Sequence, residues 1–264
     1  MLSSYGGYGL PDDNGVEESS GARFDRRIRE SEHLPRPVIV KGLLSEDERA
    51  AIFAFGEEAG RYRTDGTAHE TGARAERTAE WFSTDSGALC YGDLKHTAKM
   101  LHASGGMKDG VSRTFGQAHP ELLGKLVSTM RTKADAAGMC PASKVLNIRC
   151  IELHNYLAGA GLDDLGHIDV GSTLTLSIQL SPPGDGSECG GQFATIDARG
   201  ATVHPLGIGD GILFHSQMVH NVSKIRQGVR NSLVIEVRKE ARAPCSSLSP
   251  CCASSLLAPP CSAS

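Results

Sequence analysis

Residues 173–197 read TLTLSIQLSPPGDGSECGGQFATID. Two short β-rich runs flank a segment of proline, glycine, aspartate and serine, and that punctuation belongs to turns between strands. The same rhythm extends outward. KVLNIRCIELHNYL precedes the stretch, and ATVHP, GILFH, HNVSKI and VRNSLVIEVRK follow it. Short strands at close spacing predict a jelly roll or sandwich over residues 144–240.

Upstream the character differs. RPVIVKGLL predicts a short strand, and SEDERAAIFAFGEEAG a helix, with Ser45 and Glu48 as a capping box and Gly60 as its stop. Residues 61–80 predict an arginine-rich extended loop, and residues 92–103 a helix. HPELLGKLVSTMRTKADAAGM predicts a second helix, opened by Pro120 and closed by Gly138. The expected class is therefore α+β, with residues 35–140 a mainly helical support for the core at 144–240. Residues 35–242 are expected to form one domain, between a disordered leader at 1–22 and a low-complexity tail at 243–264.

The 264 residues are 39% hydrophobic and 22% charged, with a formal net charge of −4. No global positive field favours nucleic acid or anionic lipid. Neither a secretory signal nor a membrane-length apolar run is visible, which predicts a cytoplasmic protein without a membrane partner. Of the eight cysteines, Cys90, Cys140, Cys150 and Cys189 lack CxxC spacing, and Cys245, Cys251, Cys252 and Cys261 crowd the tail without a histidine. That pattern argues against both a disulfide framework and a zinc knuckle.

Residues 166–172, GHIDVGS, carry the chemistry. On a strand, His167 and Asp169 would share a face and offer an imidazole nitrogen beside a carboxylate oxygen, two ligands for a divalent transition metal. His204, His215 and His220 are downstream candidates for a third. Arg230 lies in a largely apolar run, where it pairs with an acidic side chain such as Glu236 or Asp210, faces water, or binds an anionic ligand.

The ordered set Tyr156, His167-Ile-Asp169, TLTLSIQLS, Cys189-Gly190-Gly191, GDGILFHSQMVHNV and GVRNSL resembles the iron(II)/2-oxoglutarate-dependent dioxygenases, in particular their prolyl 4-hydroxylase-like branch. The resemblance covers roughly residues 144–240. It implies a double-stranded β-helix in which His167, Asp169 and His220 hold Fe(II), with His215 second to His220. It further implies that Arg230 binds the distal carboxylate of 2-oxoglutarate, helped by Ser232, with Tyr156 and Gln179 lining the pocket. The implied reaction is hydroxylation of a C–H bond using O2 and 2-oxoglutarate, with ascorbate as a reductant. A prolyl or other peptidyl residue is the first expectation for substrate, and a small-molecule metabolite the second. A cupin-type enzyme without 2-oxoglutarate and a non-catalytic module of the same fold are the rivals. Asp169 departs from halogenating relatives, which have a small residue there. Glu236 stands where nucleic-acid dealkylating relatives carry a second arginine, so nucleic acid is not an expected partner. Substrate choice is expected of loops 61–90, 105–118 and 158–166. A surface loop is the expected setting of Arg61, Arg63, Arg74 and Arg77, the core that of Trp81, and structural or surface roles those of His154 and His204.

Overall fold

The computed structural model describes residues 20–61, 80–83, 89–92, 95–103, 114–162, 166–182 and 189–239. The expectations for residues 1–19, for the loop bearing Arg63, Arg74 and Arg77, for the Trp81 side chain and for the cysteine-rich tail lie outside them.

Among the described residues, eleven strands form two antiparallel sheets. They are β1 (Val38–Val40), β2 (Glu80–Ser83), β3 (Leu89–Gly92), β4 (His96–Ala103), β5 (Leu146–Tyr156), β6 (Leu174–Gln179), β7 (Phe193–Asp197), β8 (Gly200–His204), β9 (Gly211–His215), β10 (Val219–Val222) and β11 (Arg230–Lys239). The large sheet runs β1-β9-β6-β11-β5-β4-β3-β2, and the small one β10-β7-β8. Helices α1 (Ser20–Ser31), α2 (Glu46–Arg61), α3 (Phe115–Ala118) and α4 (Pro120–Ala136) complete the fold.

The pleat sorts the core. On β6, Leu174, Leu176 and Ile178 join a cluster that also holds Ile52 and Phe55 of α2 and Leu126 and Met130 of α4. Leu233 and Ile235 of β11 and Ile151 and Leu153 of β5 belong to the same cluster. The alternate residues Thr175, Ser177 and Gln179 are equally buried but polar. They face the interior between the sheets, where Phe193, Phe214, Val222 and Ile225 form a second cluster.

Local signals explain the helix ends. Ser45 N–H donates to Glu48 Oε2 (2.8 Å) and Glu48 N–H to Ser45 Oγ (3.2 Å), which closes the capping box. At the end of α4, Met139 N–H donates to Ala134 O and Gly138 N–H to Asp135 O, with Gly138 at φ 69°, a Schellman stop.

Three expectations are corrected. Residues 96–103 are strand, not helix: β4 pairs with β5 along its length, and that ladder outweighs a weak helical propensity. Gly60 lies inside α2 instead of ending it. The N-terminal half also donates four strands to the large sheet, so it is more than a helical support. Helix α1, which starts inside the expected disordered leader, was not anticipated.

Asp210 pins the entry segment to the jelly roll. Its carboxylate accepts from Lys41 Nζ (2.8 Å), Gly42 N–H (2.8 Å) and Gly207 N–H (2.7 Å). Beside it, Gly209 has φ 78°, and a Cβ there would fall 2.5 Å from Leu44 O. Burial opposes ionisation of Asp210, but the Lys41 ammonium and the two amides outweigh it and lower the pKa. Asp210→Ala is expected to cost about 1–3 kcal/mol at pH 7, read as a fall of several degrees in Tm. Because the folded pKa is depressed, the loss should be complete above the unfolded carboxylate value. It should shrink as pH falls from about 4 downward. An equal loss at pH 7 and pH 2.5 would contradict this role.

Candidate metal centre

The structure brings His167, Asp169 and His220 together, with one ligand atom from each lying within 4.8 Å of the others. His167 Nε2 is 3.2 Å and His220 Nε2 3.6 Å from the same atom, Asp169 Oδ1. The shared strand face expected for His167 and Asp169 is not how this is achieved. Both sit in an irregular segment between β5 and β6, held by backbone bonds to its neighbours. Asp169 N–H donates to Ser216 O (2.9 Å), and His220 N–H to His167 O (3.1 Å). His220 itself comes from β10, in the small sheet.

Two of the three candidate ligands are oriented from behind. His220 Nδ1 lies 3.0 Å from Met218 O, so Nδ1 carries the proton and Nε2 presents its lone pair to the cluster. Asp169 Oδ2 accepts from Thr175 Oγ1 (2.5 Å), which is 2.9 Å from Ser216 Oγ. Burial would raise the pKa of Asp169. His220, then His167 and the Thr175 hydroxyl, hold it well below the ordinary carboxylate range. The other downstream histidines lie elsewhere. His204 Nε2 is 2.8 Å from Thr195 Oγ1, and the His215 ring faces the Gln217 amide at 3.4 Å.

Arg230 is 4% exposed. Neither in-chain partner expected for it is used. Asp210 is bonded to Lys41, and Glu236 to Arg149 at 2.6 Å. Arg230 Nη1 donates to Ser232 Oγ (2.8 Å), while Nε and Nη2 are buried with no hydrogen-bond partner among the described residues. Its guanidinium carbon lies 5.4 Å from the Tyr156 ring centroid. Burial lowers the arginine pKa, and Tyr156 partly offsets this. Gln179, opposite Ser232 in the sheet, donates to Ser181 O (2.9 Å). The expected pocket residues Tyr156, Gln179, Arg230 and Ser232 therefore share one interior face with the His–Asp–His cluster.

A second group, Cys150, Glu152 and Glu236, also converges. Its members are already committed. Glu236 accepts from Arg149 and from Ser172 Oγ (2.5 Å), and Glu152 is paired with His154 (2.9 Å). Burial, with Glu152 and Glu236 beside it, raises the Cys150 pKa and keeps the thiol protonated. Burial, followed by the charge of Asp169, also raises the Glu236 pKa.

Residues missed from the sequence include Thr175, Ser216, Arg149 and, on the interior face, His96, Glu152 and His154. The E-x-H-x-Y spacing of Glu152, His154 and Tyr156 was a readable signal, since a strand puts all three on one side. His96 was hidden by the misread helix.

Arg149 reaches Glu236 from a bulge, where the ladder between β11 and β5 shifts register at Glu236/Val237. Removing the guanidinium leaves a buried carboxylate with only a hydroxyl. Arg149→Met is expected to lower stability by about 1–3 kcal/mol, the low end reflecting the partial exposure of Arg149. Adding Glu236→Gln should recover most of that in denaturant unfolding. Strict additivity of the two losses would show that the pair is not coupled.

No protein-family model matches the sequence, and no curated protein matches it. Among solved structures it is similar to an oxidoreductase of the 2OG-Fe(II) oxygenase family from Burkholderia pseudomallei. That match has TM-score 0.51 and 17% identity, covering 84% of this chain and 91% of that one. A prolyl-4-hydroxylase from Pseudomonas putida aligns at TM-score 0.47 and 14% identity, over 83% of this chain and 100% of its own. A prolyl hydroxylase from Trichoplax adhaerens, solved with a hypoxia inducible factor peptide fragment, aligns at TM-score 0.49 and 14% identity, over 82% and 89%. At these identities the likeness is one of fold. This chain adopts the jelly-roll fold of the 2OG-Fe(II) oxygenases, with a His–Asp–His cluster in its interior.

Proposed function

We propose that the protein is an iron(II)- and 2-oxoglutarate-dependent oxygenase that hydroxylates a C–H bond. The observation that carries this reading is Arg230, a buried guanidinium with two unpaired nitrogens on the interior face that also holds the His–Asp–His cluster. An unpaired buried cation is costly, and a carboxylate supplied by a ligand answers it through a planar, two-point contact. A metal site alone would not need Arg230, which favours a dicarboxylate cosubstrate over the cupin-type alternative.

His167, Asp169 and His220 would hold the metal, two neutral imidazoles and one carboxylate being the donor set that suits Fe(II). Bound iron supplies open coordination positions for a 2-oxo acid and O2, and so the oxidising power for attack on an unactivated C–H bond. The chain's own part is positional. Arg230 and Ser232 would grip the distal carboxylate, Tyr156 would wall the pocket, and Gln179 would close its floor. Phe193 and Phe214 pack against the His220 ring, with centroids 5.7 and 4.7 Å away, and keep that side of the site dry. A peptidyl residue is the substrate class proposed first, in line with the prolyl 4-hydroxylase-like pattern of the sequence, and a small metabolite is the second.

The test is anaerobic addition of Fe(II) and 2-oxoglutarate to the purified protein. A weak visible metal-to-ligand absorption is expected, and it should vanish in His167→Ala. Arg230→Ala should weaken 2-oxoglutarate binding by about 30-fold or more while metal affinity stays the same, as for loss of one partner from a buried charge pair. A peptide and metabolite screen for coupled succinate release then identifies the substrate. If Arg230→Ala binds 2-oxoglutarate as tightly as the wild type, the dicarboxylate site is disproved.

A further inference from the structure

The pocket wall opposite Ser232 holds a polar chain that the proposed chemistry does not use. Sheet register places Arg230, Tyr156 and His96 in one row across β11, β5 and β4, and Ser232, His154 and Ala98 in the next. Along β5, Glu152, His154 and Tyr156 lie on the same face. Glu152 Oε2 is 2.9 Å from His154 Nε2. The other nitrogen of that ring, Nδ1, is 3.0 Å from His96 Nε2 and 3.4 Å from the Tyr156 hydroxyl. His96 also stacks on Tyr156, with centroids 3.8 Å apart and planes 13° from parallel.

Donor bookkeeping decides what this chain does. An ionised Glu152 can only accept, so in a neutral His154 ring the proton sits on Nε2 and Nδ1 keeps one lone pair. Two donors compete for that lone pair, the His96 N–H at 3.0 Å and the Tyr156 O–H at 3.4 Å. The shorter contact wins. Burial, followed by His154, Arg230 and His167, pushes the His96 pKa down to about 2, so the ring acts as a neutral donor.

We propose that Glu152, His154 and His96 are positioning residues for Tyr156: by filling the His154 lone pair, His96 leaves the phenol proton for the distal carboxylate of a bound dicarboxylate. This rests on the 2-oxoglutarate reading above. The stack holds the phenol ring flat against β4 while Arg230 flanks it from β11, so hydroxyl and guanidinium would meet one carboxylate from a fixed wall. Tyr156 itself stays protonated, because burial pushes its pKa up to about 12 despite the neighbouring Arg230.

A double-mutant cycle tests the proposal. His96→Phe keeps a flat ring on Tyr156 and removes the N–H, so the phenol turns to His154. Calorimetry of 2-oxoglutarate binding to the anaerobic Fe(II)-loaded protein at pH 8 should show about ten-fold weaker binding in His96→Phe and in Tyr156→Phe. The double variant should be no weaker than either single one, since both remove the same phenol-to-carboxylate bond. Nitrogen-15 NMR of the ligand-free protein at the same pH should find His154 protonated on Nε2 alone, and the proton should move to Nδ1 in Glu152→Gln. Unchanged affinity in His96→Phe, additive losses, or a His154 proton on Nδ1 in the wild type overturns the relay and leaves the dicarboxylate site standing. Failure of the wild type to bind 2-oxoglutarate overturns both.

Discussion

A pleated strand sends successive side chains to opposite faces, and in the centre of this fold both faces are buried. β5, β6 and β11 lie side by side, each with one apolar row and one polar row. Leucine and isoleucine bind the sheet to α2 and α4. The intervening residues, Glu152, His154 and Tyr156, Thr175 and Gln179, Arg230, Ser232 and Glu236, have no choice but to face inward. Everything chemical about the interior follows from that alternation. A one-residue slip of any strand would drive charges into the helix-packed core and leucines into the polar interior face.

Polar groups placed inside must then be satisfied, and the way they are satisfied divides structure from function. Among the described residues, the interior carboxylates Asp169, Glu236 and Glu152 each have an in-chain answer. Asp169 is held by Thr175 and its two histidines, Glu236 by Arg149 and Ser172, and Glu152 by His154. Arg230 differs from these carboxylates, since a serine hydroxyl takes one nitrogen and two others have no partner among the described residues. The interior thus carries its cationic demand beside the His–Asp–His cluster. That asymmetry is what a metal-chelating dicarboxylate would relieve.

The two halves of the cluster reach each other through loops, not through one regular strand. His167 and Asp169 are carried by a segment whose backbone is bonded to residues just before and on β10, the strand that bears His220. A close approach also occurs elsewhere in the jelly roll. Gly190 has φ 72°, and a Cβ there would overlap Lys224 O at 1.8 Å, so only glycine lets that turn lie against the segment leading to β11. The Gly-Gly turn read from the sequence is thus a packing requirement.

Much of this was legible in the linear chain. The seven strand runs after residue 144 were readable because turn residues separate them, and the ends of α4 because proline and glycine act locally. The histidine–aspartate pair and Arg230 stood out by residue type and by the order of the surrounding motifs. Other features depended on partners distant in the chain. β4 looked helical until β5 paired with it, because a ladder between residues far apart leaves little trace in local propensity. With β4 misplaced, His96 could not be set beside Tyr156. The sequence offered His204, His215 and His220 as third ligands and Glu236 and Asp210 as partners for Arg230. Only the folded sheets brought His220 to the His167–Asp169 pair and gave both carboxylates to other cations. They did so because ligand convergence and salt-bridge partnership are distances in space, and those are set by strand register and sheet closure.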